Sequence, residues 1–145
     1  MRITLVRHGD AEPTRMGGTD AERALTGRGL REVELVADRL RAHGEEPVVV
    51  LSSPLLRAQE TATILARVLG APVETLPELD TTGDPKETAS AIAARGEPAV
   101  VLVGHEPQMG ELFTLLCASA SYRPFRKAEA RVVDAGRQVF DAEPY

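Results

Sequence analysis

The sequence predicts an α/β domain, a three-layer α/β/α sandwich with a mainly parallel, mixed sheet. Three observations predict it. Short β-branched runs alternate with helical stretches through most of the chain, the pattern of right-handed βαβ units. The runs 48–51 and 99–103 are apolar without alternation, as in strands covered on both faces. The end of the chain breaks the pattern with a hairpin, which adds antiparallel edge strands. The 145 residues, 43% of them hydrophobic, suit a single domain over 1–145 with one core.

Taken in order, residues 2–6 form the first strand, and Arg7-His8-Gly9-Asp10 follows without a spacer. Residues 10–24 form a polar loop broken by Pro13, Gly17 and Gly18. Loops of that length in a compact domain often carry function. Thr26 caps the first helix. Its inner face runs through Leu30, Val33, Val36, Ala37, Leu40 and Arg41, and Gly44 ends it. Arg28, Arg31, Asp38 and Arg39 form its solvated face.

After the strand at 48–51, Ser53 as N-cap and Pro54 as first helical residue open a second helix. Ala58, Ala62, Leu65 and Leu69 mark its inner side, and Gly70 stops it. Residues 72–76 are extended and 77–83 form a loop. Asp84 caps a peripheral, alanine-rich helix, with Pro85 first and Glu87 completing a capping box. The strand at 99–103 ends in Gly104-His105, as the first ends in Arg7-His8. Pro107 opens a helix carrying Met109, Leu112, Phe113 and Leu116. Residues 129–133 and 137–141 form the hairpin, turned around Asp134-Ala135-Gly136.

Composition removes several function classes. The net charge is -5, aromatics are 3% and tryptophan is absent, so no nucleic-acid partner is expected. The apolar runs are too short to span a bilayer and Arg7 interrupts the first of them. A cytoplasmic protein with no membrane partner is the expectation. The single cysteine, Cys117, sits in an apolar stretch and reads as core. Arginine outnumbers lysine; guanidinium forks suit phosphate and carboxylate, although a GC-rich genome gives the same bias.

The chemistry lies at the strand ends. If the strands at 2–6, 48–51 and 99–103 are adjacent, then Arg7, His8, Arg57 and His105 face one crevice. Singly, each has a structural reading: a hydrogen-bonded histidine, a salt-bridged arginine. Together they repel one another unless an anion lies between them, and a phosphoryl group fits best. Helix starts at Ser53 and Pro107 add backbone donors. Asp10 and Glu12 could complete a metal site with the histidines, but flanking arginines oppose a cation. No metal is expected. There is no P-loop or dinucleotide fingerprint, so no cofactor is expected either.

These residues also fall in motifs. Leu5-Val6-Arg7-His8-Gly9 resembles the Arg-His-Gly signature of the histidine phosphatase superfamily (branch 1), the phosphoglycerate-mutase-like enzymes. Residues 53–62, Ser-Pro-Leu-Leu-Arg-Ala-Gln-Glu-Thr-Ala, are similar to its second motif and Gly104-His105 to its third. Arg7-His8-Gly9-Asp10-Ala11, Leu76-Pro77-Glu78-Leu79 with Gly83-Asp84, Arg23-Ala24-Leu25-Thr26 and the short length resemble the SixA-type phosphohistidine phosphatases. The resemblance implies a phosphoglycerate-mutase-like fold and a metal-independent phosphatase. It implies His8 as nucleophile, with a backbone carbonyl near Gly9 accepting from its other ring nitrogen. Arg7, Arg57 and His105 would hold the phosphoryl oxygens. A protonated His105 would donate two bonds, and Arg23 would reach toward the site. Glu78 falls where many members carry the general acid, with Asp80 and Asp84 nearby.

The expected substrate is phosphohistidine on another protein, since imidazole leaves more readily than an alkoxide and little chain is available for a lid. A small phosphorylated metabolite is the alternative among enzymes, with a mutase behind it. From another class comes a non-catalytic phosphate or phosphoprotein binder.

Overall fold

The computed structural model describes residues 1–118 and 120–145. The elements run β1 (Arg2–Arg7), a 3-10 turn (Asp20–Glu22), α1 (Gly27–Ala42), β2 (Val49–Ser52), α2 (Leu56–Leu69) and β3 (Val73–Thr75). A second 3-10 turn (Pro77–Leu79), α3 (Pro85–Arg95), β4 (Ala99–Gly104), α4 (Gln108–Leu116), β5 (Ala130–Asp134) and β6 (Arg137–Ala142) complete it. The six strands form one sheet in the order β3-β2-β4-β1-β5-β6. β3, β2, β4 and β1 are parallel, and β5 and β6 run antiparallel at one edge. The sheet is mixed, as the sequence predicts.

Successive strand residues feed opposite layers. Val6, Val50, Val101 and Val103 pack with Val33, Val36, Leu40, Ala58 and Leu65 of α1 and α2. Leu5, Leu51, Val100 and Leu102 pack with Ile92 of α3 and Met109, Leu112 and Phe113 of α4. A sheet covered on both faces must be apolar on both, which is why the central strands lack alternation. The hairpin turn is the pair Ala135 and Gly136, both at positive φ (49° and 77°). Such a two-residue turn matches the twist of the strands it joins. No helix among the described residues is long and apolar enough to cross a membrane.

Several local expectations shift. α2 begins at Leu56, with Leu55 in extended backbone before it, so neither Ser53 nor Pro54 starts the helix. Ser53 turns its hydroxyl elsewhere, as described below. α4 likewise begins at Gln108, with Pro107 flanking it. On α1, Leu30 is exposed and Arg41 points to solvent, so its inner face is narrower than its spacing predicts. Thr26 and Asp84 are caps as expected: their oxygens accept from Gly29 N and Lys86 N.

Candidate active site

β4 lies between β1 and β2, and the register brings their carboxyl ends level. Arg7 pairs with Gly104, and Ser52 with Val103. The next residues stay tied: His8 N donates to the Gly104 carbonyl at 3.1 Å and Ser53 N to the Val103 carbonyl at 3.0 Å. His8, Ser53 and His105 therefore leave the sheet side by side, where open α/β sheets bind ligands. The His8 and His105 rings are 5.0 Å apart, inclined at 56°.

His8 is oriented by its own neighbour. Its Nδ1–H donates to the Gly9 carbonyl at 2.7 Å, which leaves Nε2 with its lone pair. Gly9 is held in turn: its N–H donates to Thr61 Oγ1 at 3.2 Å, and that hydroxyl donates to the Arg57 carbonyl at 2.8 Å. Burial pushes the His8 pKa down to about 3, with His105, Arg57 and Arg7 acting in the same direction. The imidazole is therefore neutral at physiological pH.

His105 Nε2 lies 2.7 Å from Ser53 Oγ. That oxygen accepts from Leu55 N at 3.3 Å, so its hydrogen is free for Nε2 and the ring proton is assigned to Nδ1. Nδ1 is buried without a partner. Burial and then Arg57 push the His105 pKa down to about 4, against Asp80 and Asp20. One of its two expected phosphate bonds is thus already spent on Ser53, and the imidazole is neutral until an anion acts on it.

The arginines are anchored at one end and open at the other. Arg7 Nη1 donates to the Phe125 carbonyl at 3.0 Å. Phe125 N donates to Glu106 Oε1 at 2.9 Å, so Glu106 indirectly sets Arg7. Arg57, with a side chain only 5% exposed, donates from Nη1 and Nη2 to Asp20. In both arginines Nε is buried without a partner. Six buried side-chain N or O atoms among the described residues have none, and three are Arg7 Nε, Arg57 Nε and His105 Nδ1. Leaving such donors unpaired costs free energy, and three of them are concentrated on the residues around His8.

The sequence-predicted set is thus mostly brought together. Glu78 stands on the second 3-10 turn, half-buried, and its Oε2 is another of the unpartnered atoms. Arg23 joins through Asp20, whose Oδ1 accepts from Arg23 Nη1 at 3.1 Å. Asp10 instead has a structural role, accepting from Lys127 Nζ at 2.8 Å and Thr26 Oγ1 at 2.9 Å. Asp20, Ser53, Thr61 and Glu106 went unassigned as site residues. The Asp20–Arg23 and Thr61–Arg57 contacts are local in sequence, whereas Asp20–Arg57, Ser53–His105 and Thr61–Gly9 span 37, 52 and 52 residues.

Comparison with known proteins identifies the family of the chain. The family model of the histidine phosphatase superfamily (branch 1) matches residues 3–84. The chain is 34% identical over 122 residues to the phosphohistidine phosphatase SixA of Escherichia coli K12, covering 81% of this chain and 74% of that protein. The structure of the protein histidine phosphatase SixA complexed with tungstate superimposes with a TM-score of 0.89 at 29% identity, covering 99% of this chain and 97% of that one. A mycobacterial glucosyl-3-phosphoglycerate phosphatase complexed with VO3 gives a TM-score of 0.73, covering 98% of this chain and 99% of that one. Its identity is 18%, so it shares the fold alone.

Proposed function

Because the chain belongs to the histidine phosphatase superfamily (branch 1), we propose that it hydrolyses phosphohistidine on another protein through a covalent phosphohistidine on His8. His8 Nε2 attacks phosphorus, and the bond from phosphorus to the substrate imidazole breaks. The departing nitrogen takes a proton. Water then attacks the phosphorus on His8, releasing inorganic phosphate and restoring the imidazole. Arg7 Nε, Arg57 Nε and His105 Nδ1–H hold the phosphoryl oxygens as charge redistributes between the attacking and leaving atoms.

The observation that carries this reading is the set of three unpartnered buried donors beside an imidazole whose free nitrogen is Nε2. The substrate class draws support from the similarity to SixA.

One observation favours a second reading, a small phosphate monoester. An alkoxide leaving group needs a general acid, and Glu78 offers a half-buried carboxyl with an unpartnered oxygen. Turnover of a phosphohistidine protein against a panel of sugar and glycerate phosphates separates the two. The expected result is efficient release from phosphohistidine that survives Glu78→Gln. Preference for an ester, lost in Glu78→Gln, would establish the second reading instead.

A further inference from the structure

Arg57 is gripped by a residue outside all three motifs. Asp20 takes both of its terminal nitrogens: the Asp20 carbonyl accepts from Nη1 at 2.9 Å and Oδ2 from Nη2 at 3.1 Å. The other carboxylate oxygen accepts from Arg23 Nη1 at 3.1 Å, and Arg23 Nε donates to the Glu12 carbonyl at 2.7 Å. Arg23 first, and Arg57 second, hold the Asp20 carboxyl below the usual carboxylate range. The chain of contacts therefore runs from the backbone of the 10–24 loop, through Arg23 and Asp20, to the guanidinium in the phosphate pocket.

A guanidinium is planar, with five N–H bonds in fixed directions. Fixing its Nη end fixes where Nε–H points, and Nε is the buried, unpartnered atom. We propose that Asp20 is a positioning residue: it holds Arg57 end-on so that the Nε edge of the guanidinium faces the phosphoryl oxygens. This rests on Arg57 being a phosphate ligand, as in the function proposed above. A carboxylate near a phosphoryl group also repels it. Here the Asp20 side chain is 57% exposed and shared with Arg23, so water, salt and the second guanidinium screen that repulsion. Orientation is the larger effect.

Calorimetric binding of inorganic phosphate needs no turnover, so it tests the coupling independently of the substrate. The set is Asp20→Ala, Asp20→Asn, Arg57→Ala and the Asp20→Ala/Arg57→Ala double variant, each with a thermal melt and with kcat/KM on a phosphohistidine protein. Asp20→Ala is expected to weaken phosphate binding and lower kcat/KM by about tenfold, without loss of thermal stability. Both variants keep the backbone carbonyl, but Asp20→Asn also keeps a side-chain acceptor and should recover much of the loss. In the Arg57→Ala background Asp20→Ala should add nothing further. The same loss with and without Arg57, or tighter phosphate binding by Asp20→Ala, would overturn the proposal. Phosphate binding unaffected by Arg57→Ala would remove the pocket and the inference together. Coupled phosphate binding without phosphohistidine turnover would support the inference and count against the function alone.

Discussion

At neutral pH neither His8 nor His105 carries charge, because burial outweighs the Gly9 hydrogen bond at His8 and the Asp80 and Asp20 charges at His105. A nucleophilic imidazole must be unprotonated, so burial keeps His8 in the form its proposed role requires well below the usual histidine range. Imidazole resonances followed by NMR should keep their neutral shifts for both residues down to about pH 5. A midpoint near 6.5 for either would contradict the account of burial. Added inorganic phosphate should move His105 upward. The four nitrogen-bearing residues were legible in the sequence because a strand end, or the first turn after one, is a local feature. The Gly9 carbonyl was legible too, as the adjacent residue. Asp20 and Ser53 were not, since they lie 37 and 52 residues from their partners. A cap-like Ser-Pro pair reads as a helix start until the fold offers Ser53 a histidine.

Among the elements, α1 positions the carboxyl end of β1. Its second glycine, Gly29, lies directly against the Asp10 backbone, where a Cβ would overlap the Asp10 carbonyl oxygen. Asp10 follows His8 by two residues, so a displaced α1 also displaces His8, the proposed nucleophile. Gly29→Ala should destabilise the protein by roughly 1–3 kcal/mol and lower kcat/KM as well. Urea unfolding and turnover of the same preparation check both, and an unchanged midpoint would contradict the close contact. Strands and helices were legible from periodicity and from breakers such as Gly44 and Gly70. Starts were less so: Leu55 and Pro107 stand outside α2 and α4 because hydrogen bonding, not proline placement, sets where each helix begins.

Across the whole molecule, the site residues make the fold acid-sensitive. Between about pH 6.5 and 4 the unfolded chain protonates His8 and His105 while the folded chain does not, so stability falls as the pH is lowered. Asp10, held below the carboxylate range chiefly by Lys127, contributes in the same direction at lower pH. Asp141 opposes this, since burial and the Glu129 charge raise its pKa. The thermal midpoint should therefore drop from pH 7 to pH 4.5, and His8→Gln should flatten that drop. One sheet flanked by two apolar layers should unfold in a single transition, as expected for one domain over 1–145. A midpoint that rises on acidification, or two separated transitions, would contradict this. The mixed sheet and its edge hairpin were legible from the change in pattern near residue 129. The strand order was not, because β4 inserts between β1 and β2 only through long-range pairing.

The most direct measurement is to quench turnover of a phosphorylated substrate and map the acid-labile phosphate retained on the protein. The expected result is label on His8 alone, chased by water into inorganic phosphate and absent from His8→Ala. Label on any other residue, or hydrolysis undiminished in His8→Ala, would contradict the assignment of His8 as nucleophile. Binding of phosphoprotein without label or hydrolysis would make the domain a binder.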